Sequence, residues 1–123
     1  EHRIQLIVEE HGEQIWADAD LMTDVLINLI DNAVKASPDK ATIYLRAEQN
    51  RILVQDFGSG IPKKEQDKIL EPFYMIDKSR SRRTGGAGLG LALVQLILRQ
   101  HSAKLLIDSR IGEGTSMIIQ FSD

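Results

Sequence analysis

One long amphipathic helix constrains this chain more than any other feature of its sequence. Asp18 or Asp20 can cap its start, and Ser37-Pro38-Asp39 stops it after Ala36. Its apolar positions recur with helical spacing and form a broad face, which consists of Leu21, Met22, Val25, Leu26, Leu29, Ile30, Ala33 and Val34. Because so wide an apolar face has to be buried, the helix needs a second layer to pack against.

The segments on both sides of this helix predict that second layer to be a sheet. Ile4, Leu6 and Val8 alternate with Gln5 and Glu9, which indicates a strand with one buried face. The sequence predicts further strands at 15–17, 42–47, 52–55, 103–108 and 115–121, and helices at 63–70 and 89–100. This order is not a regular βαβ series. We therefore expect an α+β fold, a two-layer α/β sandwich whose mixed, mostly antiparallel sheet is covered on one face by about three helices.

Composition and charge narrow the class of protein. The 123 residues, 42% of them apolar, suit one domain spanning 1–123, and no apolar run approaches the roughly 18 residues of a membrane span. No secretory signal opens the chain, and the absence of cysteine excludes disulfides and cysteine-ligated zinc and favours a cytoplasmic location. The net charge of −3 disfavours nucleic acid as a partner, yet residues 77–84 carry four basic residues against one acidic residue.

The long helix also carries a narrow polar stripe. Asp24, Asn28, Asp31, Asn32 and Lys35 fall within an arc of about 100° on a helical wheel. Asparagine costs roughly 0.5–0.7 kcal/mol relative to alanine inside a helix, so two of them one turn apart indicate a function for the carboxamides. Amide oxygens suit Mg²⁺, and the lysine ammonium suits a phosphate. The alternative interpretation is an ordinary solvated helix face.

Two glycine-rich segments indicate close approach to a ligand. In the first, Asp56 ends a strand and is followed by glycines, so its carboxylate can accept from an exocyclic amine such as that of adenine; the alternative is a turn with a locally capping aspartate. The second, 85–91, lacks the lysine of a P-loop but opens a helix directly after the basic run. Together they predict a polyphosphate site, unless the basic run is simply a solvated, mobile loop.

Taken in order, these segments resemble the catalytic and ATP-binding domain of bacterial sensor histidine kinases, whose Bergerat fold is shared with DNA gyrase and Hsp90. The resemblance covers nearly the whole chain. It is carried by Asn28-Leu29-Ile30-Asp31-Asn32-Ala33-Val34-Lys35 (N box), Asp56-Phe57-Gly58-Ser59-Gly60-Ile61 (first G box), Glu71-Pro72-Phe73 (F box), Gly86-Ala87-Gly88-Leu89-Gly90-Leu91 (second G box) and Gly112-Glu113-Gly114-Thr115.

The resemblance implies a role for each matching position. Asn32 would ligate Mg²⁺ with help from Asn28, Lys35 would contact the phosphates of ATP, and Asp56 would accept the hydrogen bond of the adenine amine. The base pocket would be lined by Gly58, Gly60 and Ile61, with Thr115 either beside it or serving only its hairpin. The remaining nucleotide-binding positions would be Phe73, the lid cations Lys78, Arg80, Arg82 and Arg83, and the phosphate-wrapping segment that contains Gly86, Gly88, Leu89, Gly90 and Leu91.

The same resemblance favours a kinase over an ATPase. ATPase members of the superfamily have a glutamate where Asn28 stands, and an amide cannot act as the base for water. With Asn28, Asn32 and Lys35 as its catalytic residues, the chain would transfer the γ-phosphoryl group to a histidine elsewhere. His2, His11 and His101 do not lie in an acceptor motif, so this chain should not autophosphorylate by itself.

The acceptor would then lie on a dimerisation domain of the parent kinase, with a response regulator downstream. We expect this chain to be monomeric, its parent to be a homodimer, and this segment to be the cytoplasmic, membrane-free part of a membrane-bound sensor. Two alternatives stay open: a serine kinase of the anti-sigma-factor type, and a non-catalytic nucleotide-binding interaction module.

Overall fold

A computed structural model describes residues 5–9, 17–48, 50–66, 68–69 and 90–121. Five strands and three helices occupy these residues. In chain order they are β1 (Gln5–Glu9), α1 (Ala19–Ala36), β2 (Thr42–Glu48), β3 (Arg51–Asp56), α2 (Lys63–Gln66), α3 (Gly90–Gln100), β4 (Ala103–Arg110) and β5 (Gly114–Phe121).

Helix α1 begins and ends where the sequence predicts. The Asp18 carboxylate accepts the backbone N–H of Leu21 at 2.9 Å, which satisfies one of the free donors of the first turn. At the other end, Ser37 donates its backbone N–H to Val34 and its hydroxyl to Ala33 before Pro38 stops the helix. The predicted cap and stop are both confirmed.

The sheet has the strand order β1-β2-β3-β5-β4. Strand β1 pairs with β2 in parallel, whereas the other three pairs are antiparallel, so the sheet is mixed and mostly antiparallel as expected. The pairs β2–β3 and β4–β5 are each formed by strands that follow one another in the chain. The pair β3–β5 lies between them in the sheet. Strands β3 and β5 are the central neighbours, and Asp56 at the end of β3 lies opposite Thr115 at the start of β5.

One hydrophobic core lies between the sheet and the two long helices. Helix α1 contributes Val25 and Leu29, and α3 contributes Val94 and Leu98, all of which are essentially inaccessible to solvent. The sheet residues buried against them include Ile43, Val54, Met117, Ile119 and Phe121. Because side chains alternate along a strand, these residues place one face of the sheet against the helices. The expected two-layer arrangement is therefore confirmed.

Two predicted elements differ from the structure or lie outside its described residues. The helix predicted at 63–70 is observed only as α2, Lys63–Gln66, and residues 68 and 69 form a turn in which Ile69 is buried. The short strand predicted at 15–17 falls mostly outside the described residues, and Ala17 itself is in neither a helix nor a strand. Among the helices described, none combines the length and the apolar character needed to cross a bilayer.

Candidate functional site

Three segments that are distant in sequence meet at one edge of the sheet: the end of α1, the loop after β3 and the β4–β5 hairpin. A Cβ atom on Gly58 would lie 2.2 Å from the carbonyl oxygen of Ala36, and one on Gly60 would lie 2.2 Å from that of Arg110. The loop and the hairpin are also joined by a hydrogen bond from the Gly112 N–H to the Ser59 carbonyl at 2.8 Å. The glycines of the loop therefore allow backbone to pack on backbone.

Asp56, the last residue of β3, presents a buried carboxyl group beside this junction; the residue is only 5% exposed. Its Oδ1 accepts the Gly58 N–H at 2.8 Å, and the carboxyl group also bonds the backbone N–H of Thr115. Burial raises the pKa of Asp56 above the ordinary 3.8, and the two backbone hydrogen bonds offset part of that rise. A carboxylate can accept about four hydrogen bonds, and two of these positions are taken by backbone N–H groups. The Asp56 carboxylate can therefore accept from a further donor.

The polar stripe of α1 divides into two groups by exposure. Asp24 and Asp31 are exposed, whereas Asn28, Asn32 and Lys35 are half-buried. The alternative interpretation as a solvated face therefore fits the two aspartates but not the two amides. The half-buried group lies on the C-terminal half of α1, the half that ends against the glycine loop.

Hydrogen bonds and an ion pair orient part of this group. The Asn28 side-chain nitrogen donates to the Asp24 carbonyl at 2.8 Å, which leaves its Oδ1 as the group available to a ligand. The Lys35 ammonium lies 2.8 Å from the Asp31 carboxylate, so its charge is held at the surface of α1. Asn32 lies one turn after Asn28 on the same side of the helix. Two neutral hard oxygen donors beside an ammonium fit a magnesium–phosphate ligand.

Two residues that the sequence analysis did not single out complete the junction. Ser109 accepts the backbone N–H of Ile61 at 2.8 Å, and Gln66 of α2 donates to the carbonyl oxygens of Ile61 and Ser109, each at 3.0 Å. One signal was available in the sequence: Ala103, Leu105 and Ile107 alternate along β4 toward the core, and Ser109 places a hydroxyl at the next inward position.

The other predicted site residues fall into three groups. Thr115 is buried beside Asp56, while Ile61 and Leu91 pack against the hydrophobic core. Gly90 is the first residue of α3, where helical N–H groups are free. The positions outside the described residues are Phe73, Lys78, Arg80, Arg82, Arg83, Gly86, Gly88 and Leu89.

Known proteins share the sequence pattern and the fold of this chain. The sequence profile described as "Histidine kinase-, DNA gyrase B-, and HSP90-like ATPase" matches residues 17–123. The chain belongs to this ATPase family. The resemblance found in the sequence is thereby confirmed, and the five-stranded sheet with its helices is the fold of the family's histidine kinase catalytic domains.

Individual relatives of this ATPase domain are sensor histidine kinases. The sensor histidine kinase WalK of Bacillus subtilis (strain 168) is 40% identical over an alignment that covers 94% of this chain and 21% of that protein. A mycobacterial sensor histidine kinase, MprB, superposes with a TM-score of 0.82 at 27% identity, over 96% of this chain and 80% of that one. The catalytic domain of histidine kinase ThkA superposes with a TM-score of 0.80 at 28% identity, over 96% and 79% of the two chains.

The chain spans about a fifth of the length of its WalK relative. The family and the fold of this domain are therefore shown, whereas the activity and the partners of a whole kinase are matters for proposal.

Proposed function

We propose that this domain binds Mg-ATP and donates the γ-phosphoryl group to a histidine on a separate dimerisation domain of a two-component sensor kinase. The observation that carries the proposal is the buried Asp56 carboxylate, held by two backbone N–H groups beside a glycine loop that is packed on the end of α1. It supports the proposal because the loop after Asp56 packs on the end of the helix that carries the half-buried amides.

At the base end, we propose that the Asp56 carboxylate accepts a hydrogen bond from the 6-amino group of adenine. The proposed lining residues of the base pocket are Gly58, Gly60, Ile61 and Thr115. The two glycines shape it by letting the loop pack on the backbone of Ala36 and Arg110, where a Cβ atom would clash. The burial of Asp56 supports this role, because groups whose pKa is shifted by burial are frequent at functional sites, and its two backbone hydrogen bonds hold the carboxylate in a fixed orientation.

At the phosphate end, Lys35 and the backbone N–H groups of the first turn of α3, from Gly90, would bind the triphosphate. Asn32, with Asn28, would hold Mg²⁺, which when bound neutralises charge on the phosphates. The sequence adds further nucleotide contacts outside the described residues at Phe73, Lys78, Arg80, Arg82, Arg83, Gly86, Gly88 and Leu89, and Leu91 follows them in α3.

Transfer rather than hydrolysis is the favoured reaction. The bond between the β-bridging oxygen and the γ-phosphorus breaks, a bond forms between that phosphorus and an imidazole nitrogen of the acceptor, and ADP leaves. Asn28 has no carboxylate with which to take a proton from water, and its amide nitrogen already donates to the Asp24 carbonyl. The domain therefore lacks a base at that position, so it would hold ATP until the acceptor arrives.

The names of the relatives support the proposed partners. As in a sensor kinase, the acceptor histidine would lie on a dimerisation domain, a response regulator would receive the phosphoryl group, and the parent would be a cytoplasm-facing homodimer. We propose this chain itself as a single monomeric domain of that kinase.

The proposal is tested by supplying the acceptor separately. The chain is mixed with the dimerisation domain of Bacillus subtilis WalK, γ-³²P-ATP and Mg²⁺, and we expect label on that domain that is lost in acid and kept in alkali. The same domain with its acceptor histidine changed to glutamine is the control and should stay unlabelled. An acid-stable label would instead favour a serine kinase, and label on this chain alone, or release of free phosphate without transfer, would contradict the proposal.

A further inference from the structure

The hydroxyl group of Ser109 joins several segments around the proposed base pocket. Its Oγ accepts the Ile61 N–H at 2.8 Å, lies 3.0 Å from the Gly114 carbonyl oxygen and lies 2.7 Å from Thr115 Oγ1. Gln66 fixes the same region from α2, because it donates to the carbonyl oxygens of Ile61 and Ser109. The hydroxyl of this β4 residue thus joins the end of the glycine loop to the start of β5.

The number of hydrogens fixes the direction of these bonds. A serine hydroxyl has one hydrogen and two lone pairs. The Ile61 N–H takes one lone pair, and the Gly114 carbonyl can only accept, so it takes the Ser109 hydrogen. The second lone pair of Ser109 then accepts the hydrogen of Thr115. With its hydrogen turned to Ser109, Thr115 Oγ1 presents only lone pairs to any ligand on its other side.

In this arrangement the two polar side chains at the proposed base pocket can only accept hydrogen bonds. Thr115 and Asp56 are directly opposite each other on β5 and β3, and both are buried. A carboxylate is also an acceptor only. The two side chains therefore offer acceptors without a hydrogen, which matches a 6-amino group with two hydrogens and opposes the oxygen of a 6-oxo group, which has none. The hydrogen that a 6-oxopurine gains lies on N1 and not on the group at position 6.

We propose that Ser109 is a positioning residue that makes this pocket select adenine nucleotides over 6-oxopurine nucleotides, by holding the hydroxyl hydrogen of Thr115 away from the base. The inference rests on the proposed function, namely that a nucleotide base binds at Asp56. Without the Ser109 hydroxyl, the Thr115 hydroxyl can rotate and donate to a 6-oxo group, so the selectivity decreases.

The test compares the dissociation constants of Mg-ATP and Mg-ITP, whose bases differ at position 6, in wild type and Ser109→Ala. We expect the wild type to prefer ATP and the ratio to fall about three- to tenfold in the variant, the range that one neutral hydrogen bond commands. Ser116→Ala is the matched control, because it removes a hydroxyl from the next residue of β5, which points to the opposite face of the sheet. Ser109→Cys, which keeps the shape but has only a weak donor, replaces the alanine variant if that one does not fold.

A second variant separates positioning from general loosening of the loop. If Ser109 acts through Thr115, then Ser109→Ala should leave the ATP-to-ITP ratio unchanged in a Thr115→Ala background. An equal loss of affinity for both nucleotides in Ser109→Ala, with the ratio unchanged, would overturn the inference and leave the proposed function intact. A wild type that binds neither nucleotide would overturn the proposed function as well.

Discussion

Burial and hydrogen bonding act in opposite directions on the Asp56 carboxyl group. Burial disfavours the charged form and raises the pKa, while the N–H groups of Gly58 and Thr115 stabilise the charge. Because the raised pKa prevails, the folded chain keeps a proton over a pH range, from 3.8 upward, in which the unfolded chain has released it. This group therefore favours folding at low pH, and its contribution is lost as the pH rises through the folded pKa.

The residue-scale prediction concerns Asp56→Asn. We expect the affinity for Mg-ATP to fall about 10- to 100-fold, the range of a lost charge-assisted hydrogen bond, with little change in the melting temperature. The wild type should lose ATP affinity as the pH is lowered through the raised pKa of Asp56, because the protonated carboxyl loses acceptor capacity, and the variant should lack this response. Titration calorimetry over a pH series measures the ATP affinity of the wild type and of the variant at each pH. Asp108→Asn, an exposed substitution on β4, is the control.

At the scale of elements, α1 performs two tasks with two faces. Its apolar face fills the core through Val25 and Leu29, and its C-terminal half, which ends against the glycine loop, carries the half-buried amides Asn28 and Asn32. Helical spacing brings the amides to one side because residues four apart are neighbours on the surface. The exposed aspartates of the stripe keep ordinary solvent contact, and one of them, Asp31, pairs with Lys35.

The element-scale prediction is that Asn32→Ala weakens ATP binding only when magnesium is present. We expect about a tenfold or greater loss of affinity in Mg²⁺, as for disturbed metal ligation, and no difference from wild type in EDTA. Thr23→Ala, an exposed polar substitution on the same helix, should behave as wild type in both conditions. An equal loss in Mg²⁺ and in EDTA would contradict the metal assignment.

For the whole molecule, the site depends on contacts between parts of the chain that folding brings together. The loop after β3 packs on the end of α1 through Gly58, and the β4–β5 hairpin closes on the same loop through Gly60 and Gly114. At the far end, His101 after α3 accepts the backbone N–H of Asp18 at 3.0 Å and so joins the start of α1 to the end of α3. These contacts set the relation between the base acceptor and the amides of α1.

The whole-molecule prediction is that Gly58→Ala destabilises the fold and weakens ATP binding together. The added Cβ would meet the backbone oxygen of Ala36 at 2.2 Å, which no side-chain rotation relieves, so we expect a loss of about 1–3 kcal/mol in the free energy of unfolding. Gly112→Ala is the comparison, because its Cβ meets no atom within 4 Å and its cost comes from the positive φ of 80° alone. Urea denaturation measures the free energy of unfolding of both variants. A Gly58→Ala variant as stable as wild type would contradict the packing argument.

Local sequence patterns predicted the ends of a helix correctly where a specific backbone hydrogen bond, or the loss of one, sets that end. The cap at Asp18 and the stop at Ser37-Pro38 bound α1 because they satisfy or remove backbone donors, and both are visible in the letters of the sequence. The helix predicted at 63–70 was too long for the described residues, because Pro62 marks where a helix can start but nothing local marks its end; α2 ends at Gln66, and Ile69 still donates its backbone N–H to the Glu65 carbonyl.

The candidate site was predicted in part. The sequence singled out Asp56, the two asparagines and the glycines of the loop after β3. The structure buries Asp56 and half-buries Asn28 and Asn32, and their roles in binding stay predictions. Ser109 and Gln66 were not singled out. The inward position of Ser109 on β4 is visible in the alternation, but its bond to Ile61 spans 48 residues and the bond of Gln66 to the Ser109 carbonyl spans 43, and no local spacing encodes those two partners.

The sequence by itself determined the family, through its ordered motifs, and the boundaries of α1, through local hydrogen bonding. It also determined the strands that form hairpins with the next strand in the chain and the chemical character of each glycine-rich segment, because these follow from periodicity and residue type. The tertiary structure alone decided which of the polar residues on α1 are half-buried and how the Asp56 carboxylate is held. It also decided that the hydroxyl of Ser109 meets Ile61, Gly114 and Thr115 at one point. Those properties depend on distances between segments far apart in the chain, and burial and hydrogen-bond direction arise only once those segments meet.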